Sequence, residues 1–529
     1  MRFTEKEIPV WLTAALAVGM LLGSFIFGRV PTSVQVPVSP SAARFDEVRR
    51  LVETFYFEPV DSDSLTDGVI AAMLEELDPH SSYIPTKDVQ QYNSVLMGEF
   101  EGIGITFNLI EDTITVIGVI ASGPSQRAGL LVGDRIVSID GEVVAGVKIQ
   151  NSDVLRKLRG PKGTHVHVSV RRAGYRELLP FEIVRDKIPL HSVDVAYMIR
   201  PGTGYVRIQN FSATTGDEFS AALNKLKAQG MSRLLLDLRG NSGGSLQTAV
   251  AVCDELLPGR QLIVSTRGKS TGIQNYRASR FGSFQNDNQQ VVVLIDEWSA
   301  SASEIVAGAV QDQDRGMVIG RRSFGKGLVQ RSFILSDSSE ILLTVARYYT
   351  PSGRCIQKPF AHYEDDIMNR YLRGEMQSSD SIHIEDSLKF RTAKGRTVYG
   401  GGGIIPDIFV PMDTSGDYVL FNRLSQSGVL FRYALEYTDA HRSELQRYRD
   451  VDHFDMTFSV ADAMVDEMIR RGKVGEKDAG IVTNGARIEL KKWCKAYIAR
   501  NLYGEEGFAV LVNREDKMVR KALQVLQEK

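Results

Sequence analysis

Apolar positions recur along this chain in three patterns, and each marks out a different kind of element. The first is unbroken. "IPVWLTAALAVGMLLGSFIFG", Ile8 to Gly28, carries no charge and is long enough to cross a hydrocarbon layer of about 30 Å as one helix. The second has helical spacing: "FDEVRRLVETFY" and "LTDGVIAAMLEEL" put apolar residues on one helix face, and Asp78-Pro79 closes the second. This predicts a helical subdomain over 44–97. The third is strand-like. From Gly98, short β-branched runs are punctuated by glycines, with one short helix at "SQRAGL".

Beyond residue 186 the units lengthen and change type in turn. "TGYVRIQNF" reads as a strand, "GDEFSAALNKLKAQG" as a helix ended by Gly230, "RLLLDLR" as a buried strand and "SLQTAVAVCDEL" as a helix; "VVVLIDE", a helix from Ser301 and "GMVIG" continue the series. The order predicts α/β architecture over 187–412. From Asp413 to Lys529, amphipathic stretches such as "EGFAVLVNREDKMVRKALQVLQ" predict a helical C-terminal domain, 413–529, without a motif tied to chemistry.

Composition narrows the function classes. With 43% hydrophobic and 24% charged residues and a formal net charge of -2 over 529 residues, the chain is an ordinary globular protein with no signature of a nucleic-acid partner. The segment before the apolar run mixes Arg2 and Lys6 with Glu5 and Glu7, and no small-x-small cleavage site follows. Residues 1–28 are therefore read as an N-terminal membrane anchor or signal segment, with the uncleaved anchor preferred. The long charged chain behind it, tethered by the linker 29–43, is expected outside the cytoplasm, in the cell envelope. Cys253, Cys355 and Cys494 are odd in number and far apart, which excludes a disulfide framework. No CxxC or HExxH spacing occurs and the histidines form no ligand cluster, so neither metal nor cofactor is expected.

Two strand-to-helix turns carry candidate chemistry. In "LLLDLRGNSGGSLQ", Gly240, Gly243 and Gly244 allow backbone N–H groups to approach a substrate, as half of an oxyanion hole or as an ordinary turn. In "LIDEWSASASEIVAGAVQD", Ser301 to Glu304 fits the S-x-x-E capping box. A cap and a nucleophile are not exclusive, because a serine at a helix N-terminus sits beside free N–H groups, including that of Ala302. No histidine stands in a comparable motif; His80 and His191 read as structural or surface residues. Lys326, between Gly325 and Gly327 in "SFGKGLVQ", is the other candidate base. An ordinary lysine, with pKa about 10.4, is useless as a base near neutrality, and burial lowers that value by several units. A solvated loop lysine beside Arg321 and Arg322 is the alternative, and both readings stand on the residues alone.

The order of a glycine loop, strands, "GPSQRAGLLVGDRIVSIDG" and "VHVSVRRAG" resembles a PDZ domain over 98–186. A loop such as Gly102-Ile103-Gly104-Ile105 can aim N–H groups at a peptide's terminal carboxylate while the next strand offers an edge. "SASASEIVAGAVQD" followed by "SFGKGLVQ", with "LDPHSSYI", "LDLRGNSGG", "RYYTPSGRCIQ" and "GRTVYGGGGIIPDIFVP", resembles the C-terminal processing peptidases, or tail-specific proteases. The resemblance implies an α/β catalytic core of the ClpP/crotonase-like kind, 187–412, preceded by the helical subdomain and PDZ domain and followed by the helical region. It implies Ser301 as nucleophile, Lys326 as general base, Gln330 as the residue orienting the lysine, and Gly243 and Ala302 as oxyanion donors, with Ser299 and Ser303 in support. Protein substrates would be recognised by their C-terminal peptide, and Arg172 would be tied to gating. The helical region would serve assembly as a homodimer, or packing. The competing functions are a catalytically inactive PDZ scaffold and an acyl-CoA enzyme of the crotonase-like architecture.

Overall fold

The structure is a computed structural model that describes residues 40–527 except 121, 362, 414–416 and 476–479. The apolar run Ile8 to Gly28 and its linker lie outside the described residues up to 39; among the described residues no helix is long and apolar enough to cross a membrane. The chain divides into two compact units, 1–73 and 74–529. The first holds the helix Pro40–Phe55 and most of the helix Ser62–Glu75. The predicted segment 44–97 thus extends across the division. Its later part contributes the strand Ser82–Ile84 and the helix Thr86–Met97 to the larger unit, where Ser82 pairs antiparallel with Leu342.

The β-rich module is an antiparallel sheet of Ile105–Ile110, Thr113–Val119, Arg135–Ile139, His165–Arg171 and Leu179–Val184. Strict alternation builds its core: Val166, Val168 and Val170 are buried while His165 and His167 face solvent. The helix Asn151–Leu158 closes it with Val154 and Leu158. The strands that enter and leave the module, Glu99–Gly102 and Asp186–Pro189, pair with each other.

The core is a six-stranded sheet in the order Val193–Arg200, Thr203–Ile208, Arg233–Asp237, Gln290–Ile295, Met317–Gly320, Ile408–Phe409, parallel from the second strand onward. Its central strands are buried on both faces, as parallel sheets require. Leu234 and Leu236 pack with the helices Thr215–Ala228, Leu246–Leu256 and Ala302–Asp312. Leu235, between them, faces Met518, Val519, Ala522, Leu523 and Leu526 of the last helix, Lys517–Gln527. The amphipathic C-terminal stretch therefore covers the second face of the parallel sheet. It is not one helix: Asp516 interrupts it, accepting a hydrogen bond from Val519 N–H at 2.9 Å as an N-cap and an ion pair from Arg239 at 2.7 Å. A second, antiparallel sheet combines Ser82–Ile84, Leu262–Gly268, Gly272–Arg277, Leu328–Ile334 and Glu340–Tyr349.

At the far end of the helix Ala302–Asp312, Asp312 pairs with Arg354 at 2.7 Å, both side chains wholly buried. Arg354 also donates to Gln311 Oε1 and the Tyr399 carbonyl, so this pair ties the helix to the segment following the second sheet. Replacing Arg354 by Ala leaves a buried, unpaired carboxylate, and we expect a loss of about 3–5 kcal/mol. Urea unfolding checks this; an unchanged midpoint would show that the pair holds nothing together.

Candidate active site

The strand Gln290–Ile295 ends at the carboxyl edge of the parallel sheet, where open α/β sheets place ligands. The three serines that follow divide their work. Ser299 Oγ donates to the Leu238 carbonyl at 2.8 Å and Ser303 Oγ to the Asn241 carbonyl at 2.9 Å. Both are fully buried and staple this turn to the glycine turn of the neighbouring strand. Ser301 between them has φ 52° and ψ −110°, a sparsely populated conformation for a side-chain-bearing residue and one that concentrates at functional turns. The glycine turn packs hard against it: a Cβ on Gly243 would lie 2.7 Å from that of Ser301, so only glycine fits there.

Two glycines of that turn differ in a way sequence does not reveal. Gly243 N–H donates to the Asn241 side chain at 2.9 Å, so the oxyanion donor expected there is already engaged. Gly244, at φ 142° and pressed against the Phe211 carbonyl, has an N–H with no acceptor among the described residues. The Ala302 N–H, at the first position of its helix, is likewise free among the described residues.

Lys326 lies in the loop before the strand Leu328–Ile334. Its Nζ donates to Gln330 Oε1 at 2.8 Å, and Gln330 Nε2 donates to the His80 carbonyl. Burial lowers the Lys326 pKa below its ordinary value, opposed by the charges of Asp78 and Glu304. Ser301, Ala302, Gly244, Lys326 and Gln330 line one cleft of about 500 Å³. Among the described residues no hydrogen bond joins Lys326 Nζ to the Ser301 hydroxyl.

Two buried groups hold these parts in register, Glu304, which the sequence offers only as a cap, and Tyr348, which it does not single out. Glu304 answers Ser301 as the capping motif predicts, accepting from its N–H at 2.8 Å. It also accepts from Lys326 N–H at 2.9 Å, Gly325 N–H at 2.7 Å and the Ser323 hydroxyl at 2.5 Å. Burial pushes its carboxyl up to about 7 against those donors. From the other side, the Tyr348 hydroxyl lies 3.0 Å from the Ser301 carbonyl and 2.8 Å from the Lys326 carbonyl. Burial raises the Tyr348 pKa, so the phenol stays a donor. The only sequence signal for Tyr348 is its position in "RYYTPSGR".

In the β-rich module, the Ile103 carbonyl is taken by Ser125 at 2.7 Å and the Gly104 carbonyl by Ile120 N–H at 3.0 Å, which occupies the acceptor side of the loop Gly102–Ile105. Arg172 does not line the cleft. It grips Asp134 through two 2.7 Å bonds and reaches the Gly129 carbonyl at 2.8 Å.

An α/β core with a serine at a helix N-terminus and a desolvated lysine in one cleft, joined to a PDZ module, defines a serine-type peptidase. Residues 202–367 match peptidase family S41 and residues 115–172 match the PDZ domain, while 420–504 match a family of unknown function. A carboxy-terminal-processing protease of Bartonella bacilliformis is 38% identical over 72% of this chain and 86% of its own. The carboxy-terminal processing protease CtpB of Bacillus subtilis is 34% identical over 62% of this chain and 68% of its own. A solved photosystem II D1 C-terminal processing protease covers 71% of this chain and 88% of its own at 26% identity, with a TM-score of 0.37. The chain belongs to peptidase family S41, as a carboxy-terminal processing serine protease with a PDZ domain.

The backbone at Ser301 yields a prediction. Ser301→Gly removes the side chain that makes φ 52° costly, while glycine at an N-cap loses only a few tenths of a kcal/mol. We expect a protein about 1 kcal/mol more stable than the parent. Calorimetry decides; a lower melting temperature would show that the turn is relaxed.

Proposed function

We propose that this chain cleaves exported proteins from their C-terminal tails, with Ser301 as nucleophile, Lys326 as general base and Gln330 orienting the lysine. The observation that carries the assignment is the Lys326 amine: it is desolvated, shares a cleft with Ser301, and is bonded to a neutral amide rather than to a carboxylate. Neutral Lys326 takes the Ser301 proton as the oxygen attacks the peptide carbonyl; the proton then passes to the leaving amine, and water hydrolyses the acyl-enzyme. The oxyanion would meet Ala302 N–H and the Gly243–Gly244 turn, whose free donor at rest is Gly244. To reach Ser301, Lys326 has to share or exchange its bond to Gln330.

The PDZ domain, read as 98–186, would receive the substrate's terminal carboxylate on the N–H side of Gly102–Ile105. Gating through Arg172 would require that residue to leave Asp134, so its present partners favour a structural role. The core, 187–412, is read as ClpP/crotonase-like on the strength of its parallel strands and the helices across one face. Envelope location and a membrane anchor rest on the uncharged run Ile8 to Gly28. For the region 413–529, cover of the catalytic sheet by Lys517–Gln527 favours packing over a homodimer as the work of that helix.

The test is digestion of an unstructured protein with an apolar C-terminus, beside the same substrate with its tail amidated. Ser301→Ala and Lys326→Arg should both be inactive, since arginine supplies no neutral amine, and amidation should weaken cleavage. A cleaving Ser301→Ala protein would remove this site from the reaction. If the parent binds the free tail without cutting it, the inactive scaffold gains.

The pH dependence has a definite sign. Lys326 must lose a proton to act, and its lowered pKa brings the neutral form in below the ordinary lysine value of 10.5. Falling pH also protonates Glu304, near 7, taking an acceptor from the Ser301 and Lys326 amides. Both effects predict kcat/KM rising with pH and levelling off below 10.5. A profile flat from pH 5 to 10 would contradict this.

A further inference from the structure

The amide of Gln330 has two unlike ends, and only the oxygen can accept from Lys326. Which end faces the amine is decided elsewhere, because Gln330 Nε2 is spent on the His80 carbonyl. That carbonyl belongs to a turn knitted at every side. Asp78 Oδ1 accepts from His80 N–H at 2.8 Å, Ser81 N–H at 3.0 Å and the Thr344 hydroxyl at 3.1 Å. Asp78 Oδ2 accepts from Ser81 Oγ at 2.8 Å. The His80 ring is held in turn, its Nε2 lying 2.6 Å from the Tyr363 hydroxyl.

Resting on the Ser301–Lys326 reading, we infer that the turn Asp78–Ser81 is the positioning element of the base: the His80 carbonyl sets the Gln330 amide so that its oxygen meets Lys326, and Asp78 and Tyr363 hold His80. None of the three touches substrate. They act through Gln330, at the end of a path from a turn about 250 residues earlier in the chain.

Asp78 has a second effect on the same amine. The charged groups that bear on Lys326 are Asp78 from this turn and Glu304 from the helix, and both favour the ammonium form against burial. Among the other neighbours, burial lowers His80 to about 4, so it is neutral at working pH, and burial keeps Tyr348 and Tyr363 protonated. Lys358 lies 3.9 Å over the Phe324 ring and 4.1 Å over that of Tyr363. Removing the Asp78 charge without its shape should therefore lower the Lys326 pKa.

The experiment measures kcat, KM and the pH profile of Asp78→Asn and Tyr363→Phe in the full chain, beside Lys326→Ala, on the unstructured protein substrate. In Asp78→Asn the asparagine oxygen retains the three bonds that Oδ1 accepts, while the NH2 in place of Oδ2 no longer accepts from Ser81 Oγ. We expect its acid limb in kcat/KM to move down by about half a pH unit or more. In Tyr363→Phe we expect kcat to fall about 5–10-fold with KM unchanged, the sign of a lost positioning contact. Melting temperatures monitor folding, and if Asp78→Asn does not fold the decision rests on Tyr363→Phe. With Lys326→Ala inactive, parental kcat and an unmoved limb in the folded variants overturn this inference and leave the Ser–Lys site standing. An active Lys326→Ala protein overturns the site and the inference together.

Discussion

One buried carboxylate sets the geometry of the candidate active site. Glu304 collects donors from the Ser301 turn and from the loop carrying Lys326, two segments that share no strand pairing with each other. Four donors converging on one group inside a low-dielectric interior are worth more than the same bonds at a surface, and their loss would leave several buried polar groups unmet at once. Tyr348 completes the arrangement from the carbonyl side. Backbone donors go to Glu304 and backbone acceptors to Tyr348, so serine and lysine are located by their main chains. The Lys326 side chain is left to bond Gln330 in the cleft that Ser301 also lines.

This division explains why strain is tolerated at Ser301. A residue at φ 52° survives only when its surroundings over-determine it, and here Ser299, Ser303, Gly243 and Glu304 all constrain the same short turn. The parallel sheet beneath supplies rigidity by being covered on both faces, by three helices on one side and by Lys517–Gln527 on the other. The helix Lys517–Gln527 thus belongs to the foundation of the site.

Much of this was legible in the sequence wherever the cause is local. Alternation in His165–Arg171, the buried run at Leu234–Leu236 and the capping motif from Ser301 to Glu304 each carry their structure within a few residues. What escaped is set by distant partners. The choice between Gly243 and Gly244 as free donor depends on the Asn241 side chain. His80, read as structural or surface, bears on Gln330 through a backbone atom that no residue-type pattern reports. The C-terminal amphipathic pattern was plain, but its partner face, Val195, Tyr205, Leu235 and Val292, lies hundreds of residues away. The break at Asp516 follows from Arg239, equally remote.

The neck of the PDZ module has its own consequence. Glu99–Gly102 and Asp186–Pro189 pair antiparallel, and Leu190 N–H bonds the Gly98 carbonyl at 2.8 Å. The chain therefore leaves and rejoins the catalytic body at nearly one point, and the module between is also held against the helical region, by Arg432–Glu111 at 2.9 Å and by Arg442 donating to the Val132 carbonyl at 3.2 Å. Seen from the core, the whole reader is one long loop with a closed base and a second footing on the helical region. Any fold whose ends lie a strand's width apart meets the condition at the stem, but a replacement would also have to present partners to Arg432 and Arg442.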